Sequence, residues 1–231
     1  MFIVRFFQNG GLFMFPILLV LLVGLAIAFE RWTHLKRVQT ANDKTWDQLY
    51  PVLEKGEFDK AREMASKGKS SMSQMLGMGL ARQGAVRRRE DIEIAMEESL
   101  MEIVPQLEKR TPYLALLSNI ATLFGLLGTI MGLISAFAAV ATASPASKAA
   151  LLAASISEAM NCTAFGLMSA IPLLLFHARL TTNTGKIVNS LEMASVKALN
   201  TISNFAKRQA DRPPIVPGTQ FTGANHDQTN S

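Results

Sequence analysis

A chain of 231 residues, 49% apolar and with a formal charge of +5, has the length of one ordinary domain, yet its apolar residues fall in blocks too long for a soluble core. A single cysteine, Cys162, excludes an intramolecular disulfide. The basic residues do not form the aromatic-lined groove of a nucleic-acid binder, because fourteen Asp and Glu are interspersed among them between Glu30 and Glu108.

Leu12 to Phe29 is eighteen residues without a charge, enough with its flanks to cross the ~30 Å of a bilayer's hydrocarbon. Ala26-Ile27-Ala28 offers a small-x-small site that a cleaved secretory signal would use. Positive charge favours an uncleaved span instead, since it lies overwhelmingly after the block. Of the 23 Lys and Arg, fifteen lie between Arg31 and Arg110 and six after Phe176, with only Arg5 and Lys148 elsewhere. Basic residues favour the cytoplasmic side, so the N-terminus is expected outside, the large loop inside, the turn at Pro145 outside and the C-terminus inside.

Glu30-Arg31-Trp32 ends the first block, with Trp32 placed as an interfacial anchor and His34 as a solvated flank. Helical spacing then predicts short helices over Thr45 to Leu53, Phe58 to Ser66 and Ser71 to Arg82, interrupted at Pro51, Gly56, Gly68 and Gly84. Met72, Met75 and Met78 read as fillers of helix contacts. From Arg87 to Arg110 charge is dense. Ile92, Met96, Ser99 and Ile103 form a narrow stripe for packing on neighbours, although a solvated helix leading into the next span is the plainer reading. Pro105 and Pro112 are expected to bend or break this helix.

Two further spans are predicted, Tyr113 to Ala143 and Ala149 to Phe176, folding back on each other around Pro145. Between Tyr113 and Phe176 the only charged residues are Lys148, in the turn, and Glu158. Ser118, Thr122, Gly125, Thr129, Gly132, Ala136 and Ala139 form a small or hydroxylic face on the second span. Ser155, Ala159, Thr163, Gly166 and Ala170 repeat it on the third. Such faces let membrane helices approach closely, and the plain reading is packing, with Gly128-x-x-x-Gly132 as an association motif and the threonines bonding their own backbone. Thr129 lies sixteen residues before Pro145 and Thr163 eighteen after it, so the two hydroxyls fall at nearly one depth. Glu158 lies five residues outward from Thr163, roughly 7.5 Å along a helix. An ionisable group inside a membrane is costly and faces protein or water, so these three residues suggest a polar line along which a proton or hydrated cation passes. His177 reads as an interface residue rather than a relay. Neither a phosphate loop, nor zinc-ligand spacing, nor a nucleophile elbow is present, which argues against an enzyme.

The segment from Phe124 to Leu133, FGLLGTIMGL, resembles the second-span signature of the MotA/TolQ/ExbB proton-channel family. The segment from Ile156 to Leu167, followed by Ala170-Ile171-Pro172, resembles its third-span signature. Gly56 to Ala61, with Gly79-Leu80, is similar to the cytoplasmic segment of TolQ- and ExbB-like members. Three spans favour that branch, since the flagellar branch usually has four. The resemblance implies a bacterial inner-membrane protein, a homopentamer in membrane lipid around two copies of a single-span partner like ExbD or TolR. The partner's membrane Asp would carry the ion, while Thr129 and Thr163 line the path and ion flow drives mechanical work on the cell envelope. No cofactor is implied beyond the transported H+.

This sequence departs from the pattern at Thr122, where such members commonly have Pro, and at Asn161 and Cys162, where they have apolar residues. Thr122 lies seven residues before Thr129, on nearly the same face, and extra oxygens suit Na+, so sodium coupling stays open. So do a motility-type member of the same family and a non-conducting membrane scaffold.

The expected fold is therefore an all-α membrane protein with three transmembrane helices and long cytoplasmic helical extensions, its N-terminus periplasmic. Residues 1–30 supply the N-terminus and first span, 31–110 the cytoplasmic helical region and 111–177 the hairpin. Residues 178–210 form a cytoplasmic extension, and 211–231 a disordered tail. The candidate ion-path residues are Thr129, Thr163, Glu158, Thr122 and Asn161, and the candidate helix-packing residues are Gly125, Gly128, Gly132 and Gly166.

Overall fold

The computed structural model describes residues 11–83 and 89–210. The expectations for Arg5, for the interruption at Gly84, for Arg87 and for the tail from Asp211 fall outside the described residues. Among these residues six helices follow in order: α1 (Met14–Glu54), α2 (Phe58–Lys67), α3 (Ser71–Arg82), α4 (Arg89–Glu108), α5 (Thr111–Thr142) and α6 (Lys148–Ala210). No strand occurs among the described residues. Among the described residues, three stretches are long and apolar enough to cross a membrane: in α1, in α4 and α5 taken together, and in α6.

Length shapes the molecule. The 41 residues of α1 and the 63 of α6 extend for roughly 60 and 95 Å, so each is long enough to cross a ~30 Å hydrocarbon layer and continue as a polar rod. Leu19, Leu123, Phe137 and Leu175 are each more than 60% exposed on the apolar part, a surface suited to lipid or to further helices. The polar half has a core of its own in Leu35, Leu49, Leu53, Met75, Leu76, Leu80, Met96, Leu180 and Leu191, drawn from α1, α3, α4 and α6. Each such side chain contributes about 1.5–3 kcal/mol on burial.

Local chemistry explains the short helices. Gly56, at φ +77°, turns the chain from α1 into α2, and a side chain there would run into the ring of Phe205, which stands edge-on to Phe58 at 5.5 Å. Asp59 in the first turn of α2 and Lys67 in its last complement the helix dipole. Ser70 caps α3, its hydroxyl accepting from the Ser73 N–H at 3.0 Å, and the buried Asn42 of α1 accepts from the Met72 N–H at 3.1 Å. Met72 and Met75 are buried as helix fillers, whereas Met78 is 45% exposed.

Two expectations are corrected here. Pro51 does not interrupt the chain: α1 runs through it to Glu54, because a proline one turn from a helix end removes little of the remaining ladder. The stripe on α4 is a packing face rather than part of a solvated helix. Ile92, Ala95, Met96, Ser99, Ile103 and Leu107 are all buried, and the Ser195 hydroxyl of α6 donates to the Met96 sulfur at 3.3 Å.

Pro105 lies inside α4, and Pro112 occupies the first turn of α5, where its missing N–H costs nothing. The break falls between them at Lys109-Arg110, with Arg110 in the left-handed region at φ 67°. Arg31 of α1, only 4% exposed, donates from Nη2 to the Leu107 carbonyl, and Arg110 Nη1 bonds Glu30 Oε2 at 2.7 Å. Trp32 is partly exposed beside Phe176 at 6.3 Å, with the Lys36 ammonium over its ring, while His34 is exposed and His177 half-buried.

Candidate functional site

The expected hairpin forms as α5 and α6. Its turn is closed by the Ser144 carbonyl, which accepts from the Ser147 N–H at 3.0 Å and the Lys148 N–H at 3.2 Å. The two helices then run against each other along their small faces. A Cβ placed on Gly166 would lie 2.8 Å from the Ala121 carbonyl oxygen and 3.0 Å from the Gly125 Cα. One on Gly125 would lie 3.2 Å from the Gly166 Cα, and one on Gly132 2.9 Å from the Ala159 Cβ. Gly128 admits the Cys162 sulfur into the space a side chain would fill. The four glycines therefore sit where backbone meets backbone or a small side chain. In lipid this contact supplies the association that hydrophobicity does not.

That closeness brings the hydroxyls of Thr129 and Thr163 into direct contact. Thr163 donates to the Gly125 carbonyl at 2.9 Å, and Thr129 has the same carbonyl at 3.2 Å and the Ala159 carbonyl at 3.4 Å. Each hydroxyl has one proton and two lone pairs. With Thr163 donating to Gly125 and Thr129 to Thr163, the outer lone pairs of Thr129 stay available to a donor. Rotation of both hydroxyls reverses the direction of the chain. Both residues are half-buried, so the pair can be reached from one side. A close hydroxyl pair over a carbonyl can solvate a hydrated proton or cation and reorient as it passes, without itself ionising.

The other candidates do not join this pair. Thr122 is exposed, and its hydroxyl bonds the Ser118 carbonyl of its own helix at 3.2 Å. It lies two turns, roughly 10.5 Å, from Thr129. Asn161 is half-buried two residues from Thr163, on another face of α6. Glu158 is exposed, and five residues place it about 140° around the helix from Thr163. Its carboxylate oxygen lies 2.5 Å from where a Cβ on Gly11 would stand, at the head of α1. Gly11 has φ +75°, so a side chain there would be both strained and crowded.

Sequence reasoning overlooked three supports of the site. The buried Ser118 hydroxyl donates across to the Ala170 carbonyl at 2.9 Å, tying α5 to α6 below the pair. Its place on the small face was visible, but its partner was not. Cys162 reads from sequence as a lone thiol and a departure from the family pattern, yet with Ile17, Ala121 and Ala170 it forms a small core that seats α1 on the hairpin. Gly24 brings α1 onto α6, because a Cβ there would lie 2.6 Å from a Leu173 methyl. No group of three or more metal-ligating side chains occurs among the described residues.

Comparison with known proteins agrees with this architecture. Residues 67–193 match the MotA/TolQ/ExbB proton channel family. The chain is 32% identical over 116 residues to the Tol-Pal system protein TolQ of Haemophilus influenzae, covering 50% of this chain and 49% of that protein. It is 31% identical over 176 residues to the putative biopolymer transport protein ExbB-like 1 of Synechocystis, covering 73% of this chain and 66% of that protein. A second Synechocystis protein, the putative biopolymer transport protein ExbB-like 3, is 28% identical over 171 residues, covering 72% and 79%. The chain thus spans about half the length of the first relative and just under two thirds of the second. Three apolar membrane-length helices, a glycine-lined hairpin and these matches lead to one assignment: the chain belongs to the MotA/TolQ/ExbB proton channel family, on its TolQ/ExbB-like side.

Proposed function

We propose that this protein is the ion-channel, stator-type subunit of an inner-membrane motor that couples proton-motive force to mechanical work on the cell envelope, as in TolQ/ExbB-like biopolymer transport. The observation that carries the proposal is the contact between Thr129 and Thr163 over the Gly125 carbonyl, inside membrane-length helices of a member of this family. In this reading five copies surround two copies of a single-span ExbD- or TolR-like partner. The partner's Asp carries the ion, and the hydroxyl pair hydrates it. The N-terminus and the Pro145 turn face the periplasm, while the basic polar half lies in the cytoplasm. The chain performs no covalent chemistry and needs no cofactor.

Protons are favoured over sodium because Thr122 and Asn161 stand apart from the pair, so one copy does not gather the oxygen cage a hard cation prefers. The test is co-reconstitution with the single-span partner in proteoliposomes under an imposed proton or sodium gradient. Proton flux under the first and no flux under the second is the expected result. Sodium flux would transfer the proposal to the sodium-driven reading. No flux under either would leave a membrane scaffold.

A further inference from the structure

The junction of α4 and α5 carries more structure than a simple break needs. The two residues Lys109 and Arg110 separate a helix of the polar core from a helix of the membrane hairpin. Left unheld, so short and exposed a connection would act as a hinge. It is held from both sides by consecutive residues of α1. Arg31 reaches the Leu107 carbonyl at the C-terminal end of α4, where a cation meets the negative pole of the helix dipole. Glu30 pairs with Arg110 at 2.7 Å.

Two features mark this as a built contact. Arg31 is 4% exposed with its Nε unpartnered, a costly burial for a guanidinium, and the packing that imposes it is what delivers Nη2 to the Leu107 carbonyl. Arg110 adopts a left-handed conformation that glycine would take at less cost, and its side chain is the one that reaches Glu30.

We propose that Glu30, Arg31 and Arg110 form a latch on the α4–α5 joint. When it is closed, the end of α4 and the start of α5 are fixed on α1 at Glu30-Arg31. When it opens, the Lys109-Arg110 break moves locally, while α1 and α6, which run unbroken through both halves, keep the halves in place. The latch stands on this geometry and not on the ion-path reading, and its test measures no ion.

The test uses the full chain in lipid nanodiscs. Hydrogen exchange is followed in residues 105–113 and 118–130 for the wild type, Arg31→Met and Glu30→Gln. Removing the donor to a buried carbonyl is expected to speed exchange in 105–113 about tenfold in Arg31→Met. Losing the exposed ion pair in Glu30→Gln, which leaves the backbone untouched, is expected to speed it by about two- to fivefold. Exchange in 118–130 should not change.

In parallel, spin labels replace the exposed Met101 of α4 and Tyr113 of α5, on either side of the joint, in a Cys162→Ser background. The distance distribution should be narrow in the parent and broad in Glu30→Gln. Unchanged exchange in 105–113, equal acceleration of both segments, or a distribution as narrow as the parent's would overturn the latch. Should Arg31→Met fail to fold, Glu30→Gln decides alone.

Discussion

Replacing Gly166 by alanine adds one methyl where α6 crosses α5. Its nearest neighbours would be the Ala121 carbonyl oxygen at 2.8 Å, the Gly125 Cα at 3.0 Å and the Gly125 nitrogen at 3.3 Å. All three are backbone atoms and cannot rotate aside. Carbon contacts are comfortable at about 3.5–4.0 Å, so the helices must part by roughly 0.5–1 Å, and overpacking of this kind costs about 1–3 kcal/mol.

Alanine also gains on glycine in a helix interior, by about 0.5–1 kcal/mol. Gly185 isolates that term, because a Cβ there would meet nothing within 4 Å. The difference between Gly166→Ala and Gly185→Ala therefore measures the crossing itself. At ~2–4 °C per kcal/mol for a chain of this size, the midpoints should differ by about 4–8 °C for a 2 kcal/mol difference. Cys162, the single thiol, is buried at the same crossing and supplies the assay: maleimide labelling as detergent-solubilised protein is warmed. Gly166→Ala should label at lower temperature and Gly185→Ala at the same temperature as wild type or slightly higher. Equal midpoints for the two variants would refute the close-approach reasoning.

Thr163→Ala should weaken the hairpin by about 1 kcal/mol, because the Gly125 carbonyl loses its cross-helix donor, and Thr163→Ser should restore it; the same thiol assay checks both. Asn42→Ala leaves the buried Met72 N–H without its acceptor and should cost about 1–3 kcal/mol, read as earlier melting of the polar half by circular dichroism. Glu63 accepts from Lys67 at 2.6 Å, and that hydrogen bond holds its carboxyl below the usual carboxylate range. A depressed pKa contributes stability above the unfolded value that is lost as pH falls through the folded one. Since the pair is exposed, Lys67→Ala should raise the Glu63 pKa in a proton titration followed by NMR and leave the melting temperature unchanged.

Periodicity made the hairpin legible because small residues recur at helical spacing on both spans, and the symmetric distances of Thr129 and Thr163 from Pro145 gave their common depth but not their contact, which depends on how closely the two helices approach. The glycines needed for close approach were identified for the same reason. Arg31 was not legible. As a residue it reads as a flanking positive charge, and its burial depends on α4 ending one turn after Pro105 and presenting the Leu107 carbonyl. Glu158 reads from sequence as a neighbour of Thr163, but five residues turn it to another face, toward Gly11, and linear distance carries no such angle. The α4 stripe was undervalued because dense charge surrounds it. Burial there is decided by α3 and α6 rather than by α4 itself.

The central claim is that Thr129 and Thr163 line the path of the ion. Proton flux into proteoliposomes holding the complete complex, read with an entrapped pH-sensitive dye, tests it in the double variant Thr129→Ala, Thr163→Ala. Assembly is confirmed on the same sample by its elution with the partner. Flux reduced at least about tenfold with assembly intact is the predicted result, the scale expected for two lost hydrogen-bonding groups. Flux equal to the wild type would remove both hydroxyls from the path.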